Sequence, residues 1–146
     1  MISVDYVKNV DCPFSAGDVQ IVLKKAAAYE PKIKGVVEVV VVGDGEIRQI
    51  NKQFRGKDAV TDVLSFAWKD GGVLSNDLLG QIYISYPQIK RQSKSFECSP
   101  PEEFIRMLAH GILHIVGYDH LTKKEADRMF SLQEKILASS LNLLSL

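Results

Sequence analysis

Residues Met1–Tyr6 alternate apolar and polar side chains, the period-two pattern of a half-buried strand. Ser15 with Asp18 forms an N-cap pair for a helix reaching about Tyr29. Pro31 and Gly35 close that segment before a β-branched strand, Val36–Val42. After Gly43-Asp44-Gly45 comes a short helix. Its core face is read as Ile47, Ile50 and Phe54 at i, i+3, i+7 spacing, with Gly56 as a natural C-cap and Arg48, Lys52 and Arg55 on its other face. Asp62–Trp68 reads as a strand, Lys69–Gly72 as a turn and Gln81–Ser85 as another alternating strand. Pro87 opens a helix or irregular stretch to Phe96.

Two helices announce themselves more strongly. Ser99-Pro100-Pro101-Glu102 is a capping box with proline at the first helical position. The body that follows, with Phe104, Ile105, Leu108, Ala109, Ile112, Leu113, Ile115 and Val116, is apolar on most sides, as a helix through the middle of a domain must be. Gly117 can end it in a left-handed turn. A second box, Thr122–Glu125, opens a last helix whose apolar stripe is read as Ala126, Met129, Phe130, Ile136 and Leu137.

Composition narrows the class. The 146 residues, 46% hydrophobic and 25% charged, fit a single domain over 1–146 and exclude disordered, collagen-like and disulfide-scaffold chains. Lys plus Arg equals Asp plus Glu at 18 each, so a nucleic-acid partner must be held by a local basic patch. Cys12 and Cys98 stand far apart without a CxxC motif and read as reduced fillers of a cytoplasmic protein, with no disulfide partner. The N-terminus lacks a signal-peptide layout, and the Val36–Val42 run, interrupted by Glu38, is far shorter than the roughly 20 residues that cross a bilayer, so no membrane association is expected.

The chemistry concentrates in one window. All three histidines fall in His110-Gly111-Ile112-Leu113-His114-Ile115-Val116-Gly117-Tyr118-Asp119-His120. His110 and His114, four apart, project from one helix face and can share a metal. Gly117 lets the chain double back so that His120 returns as a third nitrogen ligand. Three protein ligands leave a position open, the mark of a catalytic zinc site rather than a structural one. The spacing also matches metzincin peptidases. Those place a glutamate general base directly after the first histidine, where this chain has Gly111, and Met129 lies in a helical pattern rather than in a methionine turn.

His-Gly-x-Leu-His-x-x-Gly-Tyr-Asp-His closely resembles the signature of the YbeY family, bacterial zinc-dependent endoribonucleases of ribosomal RNA maturation. The segment Asn51–Phe66 is similar to that family's Asn-x-x-aromatic-Arg-x-x-Asp-x-x-Thr-Asp-Val-Leu-Ser-Phe block. Two positions depart: Val60 stands where the family usually has proline, and Gln81 where it usually has an acid. The resemblance implies an α/β (α+β) fold with a small, mixed, mostly parallel sheet, a central histidine-bearing helix and a zincin-like metal site, in agreement with the element order read above. It further implies one zinc per chain on His110, His114 and His120, with Arg55 functional beside the metal cleft. The implied substrate is single-stranded RNA, a ribosomal RNA precursor, and the implied partner the ribosomal subunit.

Such a metal can activate water or polarise a phosphoryl oxygen for attack by the RNA 2′-hydroxyl, and His114 and Arg55 are the catalytic candidates. Arg55 suits developing phosphoryl charge through its bidentate donors; the bland reading is a helix C-terminal cation paired with a carboxylate such as Asp58. Arg48 and Lys52 could extend a phosphate-tracking ridge, and Lys90, Arg91 and Lys94 form a second basic cluster, although such faces are usually merely solvated. Tyr118 and Asp119 are candidates to orient a histidine or bound water. A Ser-His-Asp hydrolase built on Ser65 lacks a nucleophile elbow. A metallopeptidase, and a ribosome-assembly factor with a structural metal, remain the alternative functions.

Overall fold

The computed structural model describes residues 1–68 and 78–145. In chain order these form β1 (Ile2–Lys8), α1 (Ala16–Tyr29), β2 (Gly35–Val42), α2 (Asp44–Arg55), β3 (Val63–Ala67) and β4 (Leu78–Ser85). Then follow α3 (Tyr86–Ser95), α4 (Pro100–Ile115), α5 (Lys123–Ser140) and a 3₁₀ turn, Leu141–Leu143. The turn expected at Lys69–Gly72 lies outside the described residues.

The sheet order is β1-β2-β4-β3, with β1, β2 and β4 parallel and β3 antiparallel along the outer edge of β4. The expected mixed, mostly parallel sheet is therefore present. The inner position of β2 explains its nearly continuous valine run, because a strand covered on both faces needs apolar residues at odd and even positions alike. Val37, Val39 and Val41 join the main core beneath α1, α4 and α5, while Val40 and Val42 turn to the opposite face, where Ile47 of α2 packs with Leu64. Helix α4 runs through the main core with Ile105, Leu108, Ala109, Ile112 and Leu113 fully buried.

Gly80 on β4 governs how closely α4 approaches the sheet. A Cβ there would meet the Phe66 carbonyl and stand 2.9 Å from Ile115 Cδ1. Gly111, a turn before Ile115 on α4, allows a milder close approach, since a Cβ there would lie 3.2 Å from Ile82 Cγ2. The histidine helix is thus pressed onto β4 by two positions without side chains.

The caps differ from expectation in detail. The fully reciprocal box is at Ser15 and Asp18, whose carboxylate accepts the Ser15 N–H at 2.9 Å. At Ser99 and Thr122 the hydroxyl accepts the N–H three residues on, but Glu102 and Glu125 accept from that hydroxyl instead of reaching the cap main chain.

Two predicted core residues are outside. Phe54 is 61% exposed and meets the Phe66 ring edge-on, with 5.6 Å between ring centres. Among the described residues α2 is the helix on its face of the sheet, so the covered stripe is narrow: Ile47 and Asn51 are buried, and Ile50 half-buried. Phe130 is 55% exposed, because α5 turns Met129, Gln133, Ile136, Leu137 and Ser140 inward and Phe130 sits round the helix from that stripe.

Candidate metal centre and catalytic cleft

The last turn of α4 builds the histidine cluster. Gly117 adopts φ +106°, a conformation that L side chains rarely take, and the reversed chain closes with Gly117 N–H on the His114 carbonyl and Tyr118 N–H on the Leu113 carbonyl. The reversal returns His120 to the face of His110 and His114. Ring centroids stand 6.2 Å apart for His110–His114, 5.6 Å for His110–His120 and 6.4 Å for His114–His120. The three predicted ligands are brought together.

Hydrogen bonding sorts the ring nitrogens. His114 Nδ1 lies 2.8 Å from the Tyr118 main-chain oxygen, which can only accept, so Nδ1 carries the proton and Nε2 keeps its lone pair. His110 Nδ1 lies 3.0 Å from Gln133 Oε1, with the same consequence. Burial pushes the His110 imidazole below its ordinary pKa, a push its histidine neighbours add to and the Gln133 bond opposes. A neutral ring with a free Nε2 is what a metal ligand requires.

The donor set therefore suits zinc in kind, while its spacing is slightly open. Three imidazoles bound about 2.0–2.1 Å from one ion put their ring centres on the order of 5 Å apart. The triangle here is wider, and among the described residues no three His, Cys, Asp or Glu side chains are drawn together tightly enough to hold an ion as they stand. His120 is exposed, with its main-chain N–H on Asp119 Oδ1 at 2.7 Å.

Two clefts meet beside this cluster. One, of about 540 Å³, is lined by His110, His114 and Gln133 on one side and by Arg55, Asp62 and Ser65 on the other. The second, of about 560 Å³, runs past Phe66, Tyr118 and Asp119 and shares Arg55, Ser65 and His114 with the first. Arg55 is pinned at this junction: its Nη2 donates to the Ser65 carbonyl at 2.7 Å and its guanidinium lies 4.8 Å from the Phe66 ring centre. The carboxylate Asp58, a partner proposed for Arg55 on sequence grounds, instead takes Arg48 at 2.7 Å and Lys52 at 4.0 Å.

The remaining candidates lie apart from these clefts or act differently than expected. Arg91 makes a bidentate pair with Asp44, both contacts at 2.8 Å, and Lys90 sits 5.7 Å from the Tyr86 ring centre. Lys94 occupies the last turn of α3. Tyr118 orients His114 through its main chain, whereas its phenol turns away to donate to Glu30 at 2.6 Å, a bond that raises the phenol's pKa and lowers the carboxyl's. Asp119 orders the turn through the His120 N–H.

Sequence reading missed two residues of the cleft. Gln133 is 1% exposed, and its signal is an amide set among the apolar Met129, Ile136 and Leu137 of the inward stripe. Asp62 enters from the start of β3, its carboxylate held by the Val63 N–H at 2.7 Å and by Gln92 at 3.1 Å. Gln92 also donates to the buried Glu103 at 2.6 Å, which Arg106 neutralises at 2.9 Å.

Comparison with known proteins agrees with this layout. The sequence model of the family described as Endoribonuclease YbeY matches residues 8–141. The chain belongs to the YbeY family. The endoribonuclease YbeY of Malacoplasma penetrans is 38% identical over 120 residues, spanning 79% of this chain and 80% of that protein. That of Halalkalibacterium halodurans is 34% identical over 151 aligned positions, spanning 94% of this chain and 95% of that one. The solution structure of TM1509 from Thermotoga maritima superimposes with a TM-score of 0.65 at 28% identity, over 97% of this chain and 90% of that chain.

Two features of this YbeY chain take on meaning in the fold. Gln81, the departure that removes a negative charge, pairs with Phe66 on the sheet face turned away from α4, since Gly80 and Ile82 are the residues that meet α4. It lies on the other side of the sheet from the histidines. Gly111, where a metzincin carries its glutamate, faces Ile82, which would have to give by a few tenths of an ångström to admit even a Cβ.

Proposed function

We propose that this YbeY-family chain is a single-domain, zinc-dependent endoribonuclease that cuts single-stranded RNA in the maturation of ribosomal RNA, acting in the cytoplasm on ribosomal precursors. His110, His114 and His120 hold one zinc, and Arg55 stabilises charge on the scissile phosphate. The observation that carries this reading is the pair of bonds from His110 Nδ1 to Gln133 and from His114 Nδ1 to the Tyr118 carbonyl, which present two Nε2 lone pairs to the cleft that Arg55 lines.

When bound, zinc supplies Lewis acidity, lowering the pKa of water toward neutrality and polarising a phosphoryl oxygen. The chain's own residues do the rest. Ser65 and Phe66 fix the Arg55 guanidinium from two sides, so that its remaining N–H groups are preorganised for a phosphate without reorganisation at the moment of reaction. Gln133 and the Tyr118 main chain hold two histidines in the ligating tautomer. The glycine at position 111 leaves a peptidase of the metzincin kind without its proton acceptor.

The test is elemental analysis of the purified protein together with cleavage of single-stranded RNA and of casein by the wild type and by His114→Ala. One zinc per chain, RNA cleavage without casein cleavage, and loss of both metal and cleavage in His114→Ala are expected. Protein that neither carries nor takes up a transition metal would remove the three-histidine site. A zinc-loaded protein inert toward RNA would leave the assembly factor with a structural metal.

A further inference from the structure

A single exposed phenylalanine is ordinary on a protein surface, so the exposure of Phe130 carries nothing by itself. Its position does. Phe130 stands on the wall of the first cleft beside Met107, in the same cavity as Arg55, Lys57 and the histidines His110 and His114. The half-buried Phe66 is already used: it carries the Arg55 guanidinium on its face and meets Phe54 and Tyr83 edge-on. Among the described residues, Phe130 has no aromatic or cationic partner. The cleft thus has a bare apolar ring at one place and two cations at another. A nucleotide carries the same two chemistries, an aromatic face and a phosphate.

We propose that Phe130 is the platform on which an unpaired base of the RNA strand stacks while the neighbouring phosphate meets Arg55. The inference rests on the reading of this cleft as an RNA site. It assigns a source for single-strand preference: a base inside a duplex keeps its faces against its neighbours and cannot lie on the ring, whereas an unpaired base can, whatever its identity. The cleft, at about 540 Å³, lies within the range of about 300–1,000 Å³ that houses small ligands.

Short single-stranded RNAs carrying 2-aminopurine at successive positions test it, because stacking on an aromatic ring quenches that base. They are mixed with the zinc-loaded protein and quenching is read by stopped flow before turnover, with the wild type, Phe130→Ala and Phe130→Tyr. Quenching at one position is expected with the wild type, a Kd weaker by about 5- to 150-fold with loss of quenching in Phe130→Ala, and recovery of both in Phe130→Tyr. Zinc content and melting temperature of Phe130→Ala should match the wild type, since the ring is mostly outside the core. Unchanged affinity and quenching in Phe130→Ala, or no quenching at any position, overturns the platform. The parent reading is separated by zinc-loaded cleavage. If the wild type cuts RNA and Phe130→Ala binds and cuts it equally well, stacking alone falls; if the wild type neither binds nor cuts RNA, both fall.

Discussion

Helices α2 and α3 each carry three basic residues, Arg48, Lys52 and Arg55 on the first and Lys90, Arg91 and Lys94 on the second, and the fold uses them differently. On α2, Asp58 gathers Arg48 and Lys52 on the outer side, and Arg55, one turn further on, is held over the cleft by a carbonyl and a ring rather than by a carboxylate. On α3, Arg91 is committed to Asp44, whose other contact is the Ser85 hydroxyl at 2.9 Å, so the guanidinium ties α3 to the start of α2. What separates the two arginines is the nearest acceptor. A carboxylate satisfies the charge, whereas a carbonyl fixes the fork and leaves the charge to act on something else.

The largest effect expected from this difference is at Arg55. Arg55→Lys keeps the charge and loses the bidentate fork, so cleavage of single-stranded RNA should fall by roughly 10²–10³, the scale for removing one such donor, with zinc content and melting temperature nearly unchanged. Full activity in Arg55→Lys would return Arg55 to the role of a helix-terminal cation, for which lysine serves as well.

A smaller effect is expected from Asp58→Asn. It releases Arg48 and Lys52 from their shared acceptor on the same helix face that ends in Arg55. If the face tracks the RNA backbone, binding tightens at low salt and the slope of log K against log salt steepens by about 0.7 for each phosphate newly contacted. An unchanged slope would show that the outer side of α2 is a solvated surface and that the basic ridge begins and ends with Arg55.

The contrast between the two helices also marks how far the sequence could be read. Helix starts were legible because capping is local: Ser15, Ser99 and Thr122 each sit three residues before the N–H they cap. The clustering of the histidines was legible for the same reason, since an i, i+4 pair, a glycine turn and a third histidine all lie within eleven residues. Phe54 and Phe130 were misplaced because periodicity identifies an apolar stripe without telling how wide a strip the neighbouring layer covers. Gln133 was missed because its meaning depends on His110, 23 residues away on another helix. The pairing of Arg91 with Asp44 spans 47 residues and leaves no local trace at all. Contacts that cross between elements are where composition and spacing stop being informative, and here they decide which basic residue faces the cleft.

The smallest expected effect is at Arg91, and its pH dependence separates it from Arg55. The hydrogen bonds from Arg91 hold the Asp44 carboxyl below its ordinary range; partial burial pushes the other way, and the Ser85 hydroxyl and the arginine's charge add to the lowering. A carboxyl whose pKa is lower folded than unfolded contributes stability that is fully present above the unfolded value of about 3.9 and is lost as pH falls through the folded value. Arg91→Gln removes most of that lowering. The variant should therefore melt slightly below the wild type at neutral pH, and the gap should narrow as the solution is acidified below about pH 4, where the wild-type carboxyl takes up its proton too. Both groups are substantially exposed, so the gap is small and shrinks further in high salt. RNA cleavage and its salt dependence should not move. A gap independent of pH would mean that Arg91 stabilises the fold by packing rather than by its pair with Asp44. A salt slope shallower by about 0.7 would instead place the guanidinium on an RNA phosphate, and α3 would join α2 in the binding face.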